Sequence, residues 1–131
     1  MNLEYLNTLP DIGNKFNAEI QDDEKVVFTA VLKMFGTETD RLLGTDFPFT
    51  MTNKRIIMEK NSITWTIDIA EDITKCVKLE SGAFIFKLVY FAVTLKDEIV
   101  FDDGKDRLNG FNFYFKKADR IKLETIVNNL F

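Results

Sequence analysis

The sequence predicts an all-β fold: about seven antiparallel strands, curled or stacked around an aromatic core, with a C-terminal α-helix closing one end. Three observations carry that prediction. The 131 residues include 13 Phe, three Tyr and one Trp, and aromatic side chains suit the pleated, half-buried surface of a sheet. Apolar residues alternate with a period of two from Val26 to Phe115, in runs separated by short turn-forming stretches. The period then changes to 3.6 across residues 116–131.

The elements follow in order. MNLEYLNTL is an apolar arm ahead of Pro10. Asp11 is an N-cap for a short N-terminal helix in which Ile12, Phe16 and Ile20 recur at i, i+4 spacing. VVFTAVLKMF (26–35) reads as one long strand with Val26, Phe28, Ala30, Leu32 and Met34 on one face. GTETDRLLG (36–44) is a polar loop. In the next strand Phe47, Phe49 and Met51 point inward and Thr50 and Thr52 outward. Thr52-Asn53-Lys54 turns into RIIMEK (55–60), and Asn61-Ser62 makes a tight hairpin. ITWTIDI (63–69) has Ile63, Trp65, Ile67 and Ile69 on one face.

After the acidic turn AEDI comes the strand TKCVKLE (74–80), then a Ser81-Gly82 turn. AFIFKLVYFAVTL (83–95) is apolar on both faces, which fits a strand covered on both sides or one exposed at an interface. Lys96-Asp97-Glu98 is expected as a turn and IVFDDGKDRLNG as a short strand with a loop. Phe111, Phe113 and Phe115 alternate in the last strand, 109–115. Leu123, Ile126, Val127 and Leu130 then form a helical stripe, with Ile121 and Phe131 beside it. The chain divides into an arm and short helix over 1–22 and one domain over 23–131.

Composition excludes much chemistry. There is no histidine and a single cysteine, Cys76. Ser-His-Asp and Cys-His catalysis, imidazole metal sites, intrachain disulfides and multi-cysteine metal motifs are therefore all absent. No catalytic or metal site and no cofactor is expected. With 17 basic against 21 acidic residues and a net charge of −4, the basic footprint of a nucleic-acid partner is missing. Neither a secretory signal nor a transmembrane stretch is expected, and one unpaired thiol fits a reducing cytoplasm.

EKVVFTA (24–30), FPFTMTNKRIIMEK (47–60) and WTIDIAEDITKCVKLE (65–80), followed by FNFYF and a helix starting near KKAD, resemble the GRAM and bacterial pleckstrin-homology-like domains. The resemblance covers roughly residues 20–131, and Thr52-Asn53-Lys54-Arg55-Ile56-Ile57 is its most specific piece. It departs from the family pattern in a longer 36–44 loop and an insertion at IVFDDGKDRLNG. It implies a barrel of two near-orthogonal sheets capped by the C-terminal helix. Such domains are scaffolds rather than functions: some bind phosphoinositide head groups, many bind proteins or assemble as oligomers. At the positions matching the lipid-binding pattern stand Lys33 and Arg41, joined by Lys60, with Glu38, Asp40, Asp46 and Glu59 at the same end to offset them.

Other charged groups read as surface or local structure. Lys116, Lys117, Arg120 and Lys122 form a solvated basic group, and Asp22-Asp23-Glu24 a solvated lead-in. Lys54-Arg55 serves a turn. Asp102, Asp103 and Asp106 miss calcium-loop spacing, and Cys76 is an inert thiol. The aromatic surplus over 83–95 points to a partner. Phe84, Phe86, Tyr90, Phe91 and Val93 are the candidate interface, covered by the Leu3-Tyr5-Leu6-Leu9 arm or by a second chain. The expected function is a non-catalytic interaction module that binds a protein or itself. A lipid head-group binder at a membrane surface and a carrier of an apolar ligand stand as alternatives.

Overall fold

In the computed structural model, residues 1–36, 46–60, 63–82, 87–100 and 107–131 are described. They form α1 (Leu3–Thr8), β1 (Val26–Leu32), β2 (Met34–Gly36), β3 (Phe47–Thr52), β4 (Arg55–Lys60), β5 (Ile63–Asp68), α2 (Ile69–Asp72), β6 (Ile73–Ser81), β7 (Leu88–Val100), β8 (Arg107–Tyr114) and α3 (Lys117–Leu130). The strands make two four-stranded antiparallel sheets, in the orders β1-β3-β4-β5 and β2-β8-β7-β6. The expected barrel does not close: β5 and β6 flank α2 and do not pair, so each ends its sheet. The interruption has a local cause. The Asp68 carboxylate accepts the Glu71 N–H at 2.8 Å and the Asp72 carboxylate accepts the Asp68 N–H at 2.8 Å, which caps one helical turn between the sheets.

The predicted strand over 26–35 is two strands. Leu32 pairs with Phe47 in the first sheet, whereas Met34 pairs with Tyr114 in the second. Lys33 is the crossing point, its N–H donating to Tyr114 O at 2.9 Å. The crossing shifts the alternation, so that Leu32 and Phe35 are buried and Met34 is only half-buried. A bulge at Val27 has a similar effect earlier, bringing both Val27 and Phe28 into the core.

The N-terminal helix also lies elsewhere than expected. It precedes Pro10, and residues 10–25 are non-helical. Gly13 (φ +91°) and Asn17 (φ +53°) both adopt left-handed backbone. The Asp11 side chain turns back to the Gly13 N–H, and the Asn14 side chain bonds both backbone groups of Ala18. Competing side-chain bonds of this kind outweigh a helical pattern. The segment is tied to the outer side of the first sheet, Ile12 N–H to Val26 O and Arg55 Nη2 to Glu19 O. Thr50 and Thr52, expected at the surface, are buried, and the Thr52 hydroxyl donates to Glu24.

Between the sheets the phenylalanine alternation holds. Phe47, Phe49 and Met51, with Phe111, Phe113 and Phe115, are all buried. Rings run from Trp65 through Phe35 to Phe113, Phe49 and Phe115, with centroid separations of 5.2, 5.8, 5.1 and 5.0 Å, inside the favourable range for edge and tilted pairs. Leu123, Ile126, Val127 and Leu130 of α3 are buried as expected, while Ile121 is exposed. α1 seats Leu6 in the same core, and Asn2 N–H donates to Leu130 O at 2.6 Å. The arm is thus held within its own chain, against α3 and the β3–β4 turn, where Asn53 bonds Asn7, rather than over β7. The interior void beside α3 is only about 20 Å³, enough for little more than one water-sized probe.

β7 differs from expectation in extent. It begins at Leu88 and passes through Lys96-Asp97-Glu98, which do not turn. An irregularity in the β7–β8 ladder between Thr94 and Ile99 takes up these residues, all three exposed. β8 correspondingly starts at Arg107, within the segment read as a loop.

Candidate functional site

The residues expected to hold a lipid head group are not brought together by what is described. Lys33 reaches the surface, where its ammonium binds the Asp46 carboxylate at 2.7 Å. Arg41 and the side chain of Lys60 lie outside the described residues. An ammonium already paired with a carboxylate at the same rim offers little to a phosphate. Lys116, Lys117 and Lys122 are exposed on α3 and Arg120 is half-buried. The Asp102, Asp103 and Asp106 loop lies outside the described residues.

The candidate interface divides by face. Phe91 and Val93 are 1% and 4% exposed, so they are core residues and not a surface, because strand alternation turns them toward α3 and the first sheet. Tyr90 is half-buried on the opposite face, paired with Leu79. Phe84 and Phe86 lie outside the described residues.

The 22–24 lead-in and the Lys54-Arg55 turn form one cluster. Arg55 Nε donates to Glu24 Oε2 at 3.0 Å, and Nη2 to Oε1 at 2.6 Å. The Thr52 hydroxyl and the Gln21 N–H complete the shell at 2.6 and 2.9 Å. The Glu24 side chain is fully enclosed, so it is no solvated lead-in. Burial opposes its ionisation, but the hydrogen bonds from Arg55, Thr52 and Gln21 prevail and hold the carboxyl below its usual range. Lys54 binds Asp23 alongside. With every lone pair engaged, the cluster fastens residues 19–24 to the sheet and leaves nothing for a ligand.

The feature that sequence reasoning missed is a groove of about 570 Å³ between β6 and the C-terminal end of α3. Lys75, Cys76, Val77 and Lys78 form one wall, Val127 and Phe131 the other. β6 ends its sheet, so this wall is a strand edge. Such an edge presents unpaired backbone N–H and C=O groups. Lys78 crosses toward α3 and binds Glu124 at 2.7 Å, while Lys75 is exposed and makes no ion pair among the described residues. The Cys76 thiol is pushed up to about 12 by burial, so it stays protonated at neutral pH. The strand and the helical stripe were each legible alone. That they meet along an open edge depends on topology.

Among the described residues, no three His, Cys, Asp or Glu side chains gather where they would hold a metal ion, and no helix is long and apolar enough to cross a membrane. No family model, curated protein or solved structure matches the chain.

Proposed function

We propose that this chain is a non-catalytic protein-interaction module on a pleckstrin-homology-like scaffold, binding its partner in the groove between β6 and α3. The observation that carries the reading is the open β6 edge with the groove of about 570 Å³ beside it. An edge next to an apolar helix end supplies both backbone pairing and side-chain burial for a partner. The strand that crosses sheets at Lys33, and the helix packed over the core, support the layout that the resemblance implies. The void of about 20 Å³ that the described residues leave beside α3 weighs against an apolar ligand held there, and the Lys33–Asp46 pair against a head-group site. The lone, high-pKa thiol fits a protein that works without nucleophilic chemistry in a reducing compartment.

Selection of linear peptides displayed against the folded chain, followed by amide chemical-shift mapping, tests this. Selected peptides are expected to perturb Lys75–Lys78 and Val127–Phe131. Failure to enrich any peptide together with no self-association through the groove, or perturbations confined to other surfaces, overturns the reading.

A further inference from the structure

Resting on that reading, we infer that the groove's occupant is an extended acidic segment of another protein, added to the second sheet as a strand beside β6, with glutamate or aspartate alternating with apolar residues. Three observations lead there. First, β6 pairs with β7 along Ile73–Ser81, from Ile73↔Leu95 to Ser81↔Leu88, and among the described residues has no strand on its other side. Its remaining backbone groups match an extended chain better than a helix. Second, the two sides of the strand differ. Cys76 pairs with Val93 on the core-facing side, where Val127 and Phe131 provide an apolar wall. Lys75, Val77 and Leu79 alternate on the opposite side, and Leu79 is 42% exposed. A strand added to this edge meets both environments at alternate positions.

Third, the charge is one-sided. Among the described residues the groove is lined by Lys75 and Lys78 and by no Asp or Glu, Glu80 standing further along β6 outside it, on a chain whose net charge is −4. Glu124 answers Lys78; Lys75 is left for the occupant. A carboxylate opposite Lys75 adds an attractive cross-strand pair, and an ammonium there adds a repulsive one. Lysines on an edge also discourage indiscriminate pairing, so the same residues admit an acidic strand and discriminate against a basic or neutral one.

The test uses the full chain and three capped peptides of alternating valine with glutamate, glutamine or lysine, titrated calorimetrically and mapped by amide shifts. The glutamate peptide is expected to bind most tightly at Lys75–Lys78, and Lys75→Glu, an exposed change, to weaken it about fivefold while favouring the lysine peptide. The preference should shrink with salt. Two further glutamate peptides, N-methylated at alternate sets of residues, test strand addition. One should lose binding and the other keep it, because alternate residues face the ladder. Equal binding of all three compositions, or equal behaviour of the two N-methylated peptides, overturns this inference while leaving an interaction site at the groove. A chain that binds no peptide but dimerises with β6 amides newly protected makes a second copy the occupant and also overturns it. If neither peptides nor a second copy engages the groove, the interaction-module reading itself fails.

Discussion

Arg55 holds Glu24 through two nitrogens at once, Nε and Nη2 each donating to a different carboxylate oxygen at 3.0 and 2.6 Å. The two residues belong to segments far apart in sequence, and the Glu24 side chain is fully enclosed. Removing one partner strands the other. Arg55→Ala is expected to cost about 3 kcal/mol, since it leaves a buried carboxylate unpaired. Thr52→Val, which removes a single hydroxyl from the same shell, should cost about 1–2 kcal/mol. Urea denaturation of the two variants checks the order, and equal midpoints would show that the pair contributes little.

The same pair sets a pH dependence. Glu24 titrates lower in the folded chain than its ordinary 4.5, so the unfolded chain binds the proton more readily. Its stabilisation is complete above pH about 4.5 and is lost as pH falls through the lower folded value. Asp23, lowered by its hydrogen bond from Lys54, acts in the same direction. Denaturation midpoints should therefore fall on acidification below pH about 4.5, and Glu24→Gln should flatten that fall. An unchanged slope in the variant would remove Glu24 from the explanation.

Phe113 touches the rings of Phe35, Phe49, Phe111 and Phe115 and is 2% exposed. Truncation to alanine opens a cavity where four aromatic neighbours cannot close, and should cost about 3–5 kcal/mol. Phe91→Glu, by its burial, is expected to abolish cooperative unfolding rather than change oligomeric state. A folded Phe91→Glu protein with altered sedimentation would return that residue to an interface.

Cys76 should react slowly. With its pKa pushed from 9.0 to about 12, the native chain at pH 8 holds about a thousandfold less thiolate than an ordinary cysteine. The greater nucleophilicity of a high-pKa thiolate recovers part of this, so disulfide-reagent labelling should be about thirtyfold slower than for free cysteine, and slower still through burial. Labelling at the free rate in native buffer would contradict the half-buried position. Urea should restore that rate.

Much of this architecture was legible because period two is a strong signal where one face is buried. Phe47, Phe49 and Met51, the Phe111–Phe115 series and the α3 stripe were placed on the correct faces by alternation alone. Alternation does not say what covers the other face. Thr50 and Thr52 look outward by pattern, yet both are buried, and Thr52 bonds Glu24 of the 19–24 segment that Arg55 holds. Nor does it mark where a strand changes sheets: the shift from Leu32 to Phe35 was visible as a broken phase but read as continuity. Lys96-Asp97-Glu98 resembled a turn because three charged residues rarely sit in a strand, and the ladder irregularity that admits them depends on β8. The groove was the least legible feature, since edge status comes from sheet order and not from the residues of β6.

The crossing at Lys33 also orders events during synthesis. The hairpins β3-β4-β5 join neighbours in sequence and can form early, since short loops close quickly. Phe35 has its ladder partner, Phe113, only near the end of the chain. Until the ribosome has delivered β8, one end of the bent strand has no sheet to join, and its aromatic face stays bare to solvent or to a chaperone. A chain stalled before Arg107 would hold every strand of the first sheet and an unsatisfied aromatic flap, which makes a pause there a point of exposure to misassembly.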